Sequence, residues 1–306
     1  MIRPPRSGRP GFEMRSKRVK ILLAFLVPAT LLLTAWLTLR APLDTLRDEP
    51  VVIGEARRGG LTMALPEAVA DVRVRDARTP GRPIVLIDPG HGGRDPGAAG
   101  VSGTVSEKQL TLAMATELAD LLEERGRVRV ALTREDDRYL TLDQRAAIAR
   151  RVGASLFISI HMDSAPNPLA RGTTVYSLSD VASSAEAARF ANAENRAGEP
   201  LSSASNGSLR SILSDLALRG QMEQSAELAR RTVRRAAGRV ALRPRPHQFA
   251  AFHVLRRADT PALLVEAGYI SNVDDEALLV TPAGRAPLVR VLAQTIEADL
   301  AARRLR

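Results

Sequence analysis

Residues 84–97, IVLIDPGHGGRDPG, decide how this chain folds. The first four residues form an apolar run of Ile, Val and Leu, and Asp88, Pro89 and Gly90 then end it. A short apolar run that stops at turn residues is typical of a strand buried on both faces of a parallel sheet. His91 is the first residue after the break that can perform chemistry. Glycines surround it, so the backbone there can approach closely whatever the imidazole holds.

The same pattern, a buried strand that leads into one reactive side chain, occurs twice more. Residues 156–160, LFISI, lead into His161, and residues 262–265, ALLV, lead into Glu266. The carboxyl ends of parallel strands meet at one edge of a sheet, where α/β proteins bind their ligands. We therefore expect His91, His161 and Glu266 to converge on one crevice.

Alternating strand and helix patterns predict an α/β fold in a single domain, with a mostly parallel, twisted sheet and helices on both faces. Ser106 is the expected N-cap of the first helix, which brings Glu107 to the mouth of the crevice. The prolines at 244 and 246 are expected to break a helix, and apolar residues recur at helical spacing over 209–216. The predicted strands are residues 84–87, 128–133, 156–160, 173–178, 252–255 and 262–265, and the predicted helices are residues 107–125, 143–152, 182–195, 222–237 and 287–303.

The net charge of +10 over 306 residues is concentrated at the start of the chain. Residues 1–20 hold seven Arg or Lys against one Glu, which leaves a net charge of about +4 for the rest. Aromatic residues make up only 3% of the chain, and no basic run with interleaved aromatics follows. Both observations argue against nucleic-acid binding.

Residues 21–39, ILLAFLVPATLLLTAWLTL, are 19 residues without a charge, close to the length that crosses a bilayer. Basic residues before such a run stay in the cytoplasm, so residues 1–20 are predicted as a cytoplasmic tail. A cleaved signal peptide is the alternative, but the run is long and no A-x-A site precedes Arg40. Residues 40–82, rich in Pro, Arg, Gly and Ala, are predicted as a linker to a catalytic domain at 83–306.

The chain has no cysteine, so a transition metal would be held by His and carboxylate ligands. His91, His161 and one carboxylate would form a three-ligand zinc site with an open fourth position. Zinc there would lower the pKa of bound water to about 7 and polarise a carbonyl, while a second carboxylate served as general base. The residue pattern alone leaves open whether Glu107 or Glu266 is the ligand. No phosphate-binding loop, H-E-x-x-H or G-x-S-x-G motif competes with this interpretation.

Five segments occur in a fixed order: IDPGHGGRDPGAAG, SEKQLTL, LTREDD, SIHMDSAPN and LLVEAGYISN. Together they resemble the zinc-dependent N-acetylmuramoyl-L-alanine amidases of the amidase-3 family. These bacterial enzymes cleave the amide between the lactyl group of muramic acid and the L-alanine of the peptidoglycan stem peptide. The resemblance implies that His91, Glu107 and His161 are zinc ligands and that Glu266 is the catalytic carboxylate. SIHMDS in place of SIHADA and VEAGY in place of VETGF are small departures that touch no ligand.

Residues 193–220 resemble the insert that covers the groove of division amidases until an activator protein displaces it. By this resemblance Glu194 is the candidate to occupy the open position of the zinc. The family implies a periplasmic enzyme of cell-wall remodelling and daughter-cell separation, either anchored to the inner membrane through residues 21–39 or released by signal cleavage. We expect a monomer whose partners are peptidoglycan and an activator protein, with no nucleic acid. The alternatives are a catalytically silent peptidoglycan-binding or activator-docking module and a zinc exopeptidase or amidohydrolase of similar fold.

Overall fold

A mixed sheet of seven strands organises the part of the chain that the computed structural model describes, residues 72–197 and 209–304. These residues belong to one compact unit, Pro66–Arg306. The strands are β1 (Val74–Arg75), β2 (Ile84–Pro89), β3 (Arg129–Leu132), β4 (Leu156–Asp163), β5 (Thr173–Leu178), β6 (Leu242–Ala250) and β7 (Ala262–Tyr269). The helices are α1 (Glu107–Arg125), α2 (Leu142–Val152), α3 (Ala185–Ala197), α4 (Leu209–Ala236), α5 (His253–Arg257), α6 (Val273–Leu279) and α7 (Pro282–Arg303).

The strand order is β1-β3-β2-β4-β7-β5-β6. The four central strands β3, β2, β4 and β7 are parallel, as predicted. The sheet is mixed outside them, because β1 is antiparallel to β3 and β5 is antiparallel to β7, although β5 and β6 are again parallel to each other. No helix lies between the end of β4 and the start of β5, so the chain turns back at the edge it has reached instead of crossing over to the other edge.

Helices cover both faces of the sheet, as the sequence predicts. One face packs against α1, α4 and α7, and the other packs against α2, α3 and α5. Side chains alternate between the two faces along each strand. A residue two positions after a buried apolar residue of the second face therefore lies on the second face as well. Near the carboxyl ends of the central strands these positions are polar, and they are Asp88, Ser159, His161 and Glu266.

Two parts of the local prediction are wrong. Residues 252–255 are not a strand but fall largely within α5, and the strand precedes them as β6. The prolines at 244 and 246 lie inside β6 and end no helix. Proline is tolerated there because β6 is an edge strand whose missing N–H groups interrupt no central ladder. The other predicted helices and strands are present, and the helix predicted at 222–237 is the second half of the longer α4.

The first residues that the structure describes lie inside the predicted linker. The short strand β1 falls within residues 40–82 and pairs with β3, so the ordered fold starts before residue 83. The predicted tail at 1–20, the predicted span at 21–39 and residues 198–208 of the predicted insert lie outside the described residues. Within residues 72–197 and 209–304, no helix has the length and apolar character needed to cross a bilayer.

Candidate metal centre

The strand ends bring His91, His161 and Glu266 to one edge of the sheet, as predicted. β2, β4 and β7 are adjacent, and His161 lies directly opposite Glu266 in the register of β4 and β7. His91 follows β2 in the glycine-rich loop and adopts a left-handed φ of 59°. The centroids of the two imidazole rings are 5.0 Å apart. The convergence therefore follows from strand order and register.

The two nitrogens of His91 have different surroundings. Nδ1 lies 2.8 Å from Oδ2 of Asp95, and a carboxylate only accepts, so Nδ1 carries the proton. Nε2 is buried and makes no hydrogen bond of good geometry among the described residues, although Oε1 of Glu107 lies 3.1 Å from it. Nε2 thus faces the crevice, with the ring held by a carboxylate on its far side, as is usual for a metal-ligating histidine.

Glu107 joins the two histidines from the first turn of α1. Its Oε1 lies 3.1 Å from Nε2 of His91 and 3.0 Å from Nδ1 of His161. The backbone N–H groups of Met162 and Ala98 donate to the same carboxylate, each at 3.0 Å. Burial opposes ionisation of Glu107, but the two imidazoles outweigh it and lower its pKa. The carboxylate is therefore ionised at the centre of the site.

Glu194 reaches the same point from α3. Its Oε2 lies 3.4 Å from Nδ1 of His161 and 4.0 Å from Nε2 of His91. His91, His161 and Glu194 each place a ligand atom within 4.8 Å of the others. Burial disfavours the charged form of His91, yet Asp95, Glu107 and Glu194 together raise its pKa to about 10. The site thus attracts positive charge strongly.

Two imidazoles with carboxylate oxygens are a donor set that suits zinc. The buried Nε2 of His91, which makes no well-aligned hydrogen bond, fits such an ion, because a buried polar atom without a good partner is costly unless something binds it. The residues present therefore fit the metal that the sequence predicts. Their assignment as ligands stays a prediction.

Glu266 is the most enclosed acidic residue of the site. It is 0% exposed, and neither carboxylate oxygen has a hydrogen-bond partner within residues 72–197 and 209–304. Burial raises its pKa well above the usual value, and the nearby carboxylates of Asp163, Glu107 and Glu194 raise it further. A carboxylate in such surroundings binds a proton readily, which is the property of a general base.

Two buried arginines hold the loop that carries His91. Arg145 donates to Asp88 at 2.6 Å and to the carbonyls of Pro89 and His91 at 2.8 and 2.7 Å. Arg134 donates to the carbonyl of Gly90 at 2.8 Å. Neither arginine was predicted from the sequence as part of the site. A signal was present for Arg145, which shares the buried face of α2 with Ile148 and Ala149.

Two positions of the site require glycine because neighbouring atoms leave no room for a Cβ. A Cβ at Gly90 would lie 2.4 Å from Cε1 of the His161 ring. A Cβ at Gly97 would lie 2.6 Å from Oε2 of Glu107 and 2.8 Å from the His91 ring, and Gly97 has a φ of +65°. The glycines therefore let the loop pack directly on the candidate ligands.

The centre is covered in this structure. The cavity beside His91 and His161 measures about 30 Å³, and Glu194, Asn195 and Tyr139 contribute to its walls. A volume of this size holds only one or two water molecules. Asn195 fixes this end of α3, because its side chain donates to the carbonyl of Ala251 at 2.8 Å and accepts from the N–H of His253 at 2.8 Å.

Comparison with known proteins identifies the family. The sequence model of the Amidase_3 family, described as N-acetylmuramoyl-L-alanine amidase, matches residues 85–298. The chain belongs to this amidase family.

Curated relatives and solved structures agree with this assignment. The amidase is 36% identical to N-acetylmuramoyl-L-alanine amidase AmiA of Escherichia coli over 71% of its own chain and 75% of the relative. It is 34% identical to AmiC of Neisseria meningitidis serogroup B over 71% of its chain and 52% of the relative. The solved catalytic domain of CwlV from Bacillus (Paenibacillus) polymyxa matches with 27% identity and a TM-score of 0.52, covering 72% of this chain and 98% of that one.

Proposed function

We propose that this amidase hydrolyses the amide between the lactyl group of N-acetylmuramic acid and L-alanine in peptidoglycan, with zinc as its cofactor. One observation carries the proposal: Nε2 of His91, Nδ1 of His161 and Oε1 of Glu107 face one point beside the buried Glu266. The similarity to AmiA and AmiC supports the choice of bond.

His91, His161 and Glu107 are the residues that would hold the metal. The Asp95 carboxylate would keep the His91 ring in the orientation that presents Nε2, and Arg145 would fix the backbone of the same residue. A bound zinc ion supplies Lewis-acid activation of the attacking water and of the amide carbonyl. The chain supplies the geometry and the proton transfers.

Glu266 is the proposed general base. Its buried carboxylate would take one proton from the attacking water as the new C–O bond forms, and it would then give this proton to the amide nitrogen as the C–N bond breaks. The products are the free lactyl carboxylate and the free amine of L-alanine, so one water is consumed. The raised pKa of Glu266 suits a group that must accept a proton and release it again.

The test is dye release from labelled sacculi, measured with added zinc and with a chelator, followed by mass analysis of the products. We expect zinc-dependent release of intact stem peptides from intact glycan. Cleavage of free peptides but not of sacculi would instead identify an exopeptidase or amidohydrolase. Zinc binding without cleavage, even after the covering helix is altered, would favour the peptidoglycan-binding or activator-docking module.

We propose further that Glu194 and α3 hold the enzyme in an inhibited state until an activator protein displaces residues 193–220. The short distances from Glu194 to both histidines and the small cavity beneath it support this idea. Glu194→Ala should raise basal dye release, because it opens the position next to the ligands. Arg189→Ala, an exposed change on the same helix, is the control. Equal basal rates in both variants would contradict the proposal.

For localisation, we propose that residues 21–39 anchor the enzyme in the inner membrane with the catalytic domain in the periplasm, where it acts in cell-wall remodelling and daughter-cell separation. The 19 uncharged residues after a basic tail support this orientation. Release of the enzyme from membranes by alkaline carbonate, with a mature N-terminus beyond residue 39, would instead identify a cleaved signal.

A further inference from the structure

A large groove lies at the opposite edge of the sheet from the metal centre. It measures about 540 Å³ and runs between the ends of α1 and α7 and the starts of β2 and β3. Four arginines line it, together with a single acidic residue, Glu297; the arginines are Arg82, Arg125, Arg127 and Arg304. The groove therefore carries a clear excess of positive charge.

This positive charge is only partly compensated. Arg125 and Arg127 both donate to the same Oε2 atom of Glu297, at 3.2 and 3.3 Å. The side chain of Arg127 is 71% exposed. Guanidinium N–H donors thus remain for an external ligand.

More arginines extend the charge along the same edge. Arg78 packs at the end of α1, where its Nη2 donates to the carbonyl of Glu124 at 2.7 Å. Arg150 stands at the end of α2, where its Nη1 donates to the carbonyl of Arg257 at 2.6 Å and its Nε lies 3.9 Å from the exposed carboxylate of Asp259. Both helices end at the edge where the parallel strands begin. We call this surface the basic edge, and define it by Arg78, Arg82, Arg125, Arg127, Arg150 and Arg304.

The course of the chain indicates what this surface meets. Arg82 lies on the basic edge and immediately precedes β2. The predicted span at 21–39 precedes it by about forty residues of predicted linker. A linker of this length can extend over roughly 100 Å, so it allows the basic edge to meet the membrane surface while the metal centre lies at the opposite edge of the sheet.

We infer that the basic edge docks on the anionic phosphate headgroups of the membrane and turns the metal centre towards the cell wall. The proposed membrane anchor is used here only to choose a membrane as the docking partner. The inference does not depend on the proposed reaction. Guanidinium groups suit this role because their planar forks bind phosphate oxygens bidentately. The contact is electrostatic, so it weakens as salt shortens the range over which the charges interact.

The experiment is flotation of residues 66–306 with vesicles of phosphatidylglycerol and phosphatidylcholine, compared with vesicles of phosphatidylcholine alone. This piece is one compact unit, and the similar CwlV catalytic domain was solved alone. The test variant is R82Q/R127Q/R304Q, which leaves Arg125 to pair with Glu297. Each arginine near an anionic surface contributes about fivefold in affinity, so we expect the three changes to weaken binding roughly a hundredfold.

The control variant, R138Q/R171Q/R234Q, removes the same number of exposed arginines away from the basic edge. We expect it to bind vesicles like the wild-type domain, and we expect wild-type binding to fall as salt rises. Equal loss of binding in the two variants, or wild-type binding that ignores lipid charge or salt, would overturn the inference. So would a basic-edge variant that binds vesicles normally but no longer binds purified sacculi, because the partner would then be the wall. Hydrolysis of soluble muropeptides should be unchanged by R82Q/R127Q/R304Q, which separates this result from a failure of the proposed reaction.

Discussion

The two edges of the sheet use arginine in opposite ways. At the edge that carries the metal centre, here called the catalytic edge, Arg145 is 3% exposed and donates to Asp88 and to the backbone carbonyls of Pro89, His91 and Leu140. At the basic edge the side chain of Arg127 is 71% exposed and shares a single carboxylate oxygen with Arg125. Burial, not residue type, thus decides whether a charge fixes the protein's own backbone or remains for a partner.

The largest expected effect is on kcat, and it should arise only at the catalytic edge. Glu266→Gln should lower kcat by a factor of about 10²–10⁴ because it removes the proposed general base. Zinc content, measured by atomic absorption, and vesicle binding should stay at the wild-type level. Arg127→Gln is the matched change at the other edge, and it should keep kcat on soluble muropeptides. Turnover by Glu266→Gln within a few-fold of wild type would refute the assignment.

The next effect is on the free energy of unfolding, which an arginine substitution should lower much more at the catalytic edge than at the basic edge. Arg145→Met should lower the free energy of unfolding by about 3–5 kcal/mol, because it leaves Asp88 buried without its cation. Arg127→Met should cost less than about 1 kcal/mol, as is usual for an exposed pair. Urea unfolding of the two variants checks the difference. Similar losses in both would show that burial does not govern the role of these arginines.

A third effect depends on pH and arises only at the catalytic edge. In the metal-free protein the pKa of His91 is raised to about 10 from 6.5. Protonated His91 therefore stabilises the fold fully below about pH 6.5, and this contribution, on the order of a few kcal/mol, is lost as the pH rises towards 10.

Zinc should remove this pH dependence, because a histidine ligand is already neutral. Urea unfolding between pH 6 and pH 10, with and without zinc, measures it. Arg127→Gln should leave both curves unchanged in shape, since the basic edge is built from arginines, which stay charged throughout this range. Parallel curves for the metal-free and zinc-loaded proteins would contradict the role of His91.

The smallest effect concerns the support of one candidate ligand. Asp95→Asn should weaken zinc binding about 10–100-fold, because it removes the carboxylate that orients His91 and raises its basicity. Competition with a chromogenic chelator measures the change. Asp137→Asn is the control, since Asp137 is exposed and bonds Lys108 and the backbone N–H of Gly93 rather than a histidine. A zinc affinity equal to that of the control would show that Asp95 has no such function.

The sequence predicted those features that depend on local pattern. His161 and Glu266 end apolar runs, so strand polarity alone placed them at one edge, and Glu107 followed from the N-cap at Ser106. The orientation of β5 was not predictable from its own residues, because it depends on which strand it pairs with. The strand predicted at 252–255 is an apolar segment whose helical state is set by packing of Val254 and Leu255 against the sheet. The role of Arg145 was not predictable, because it depends on Asp88, which is far away in the sequence but accepts a hydrogen bond from Arg145 in the fold.

The edge strand β6 has a consequence for how the protein behaves among its own copies. An exposed strand edge offers unpaired N–H and C=O groups on which a second chain can add a strand and begin aggregation. Pro244 and Pro246 lie within β6 and have no N–H to donate. At the other end of the sheet β1 has only two residues. Both borders of the sheet are therefore poor templates, which protects the folded domain from polymerising through its backbone at high concentration.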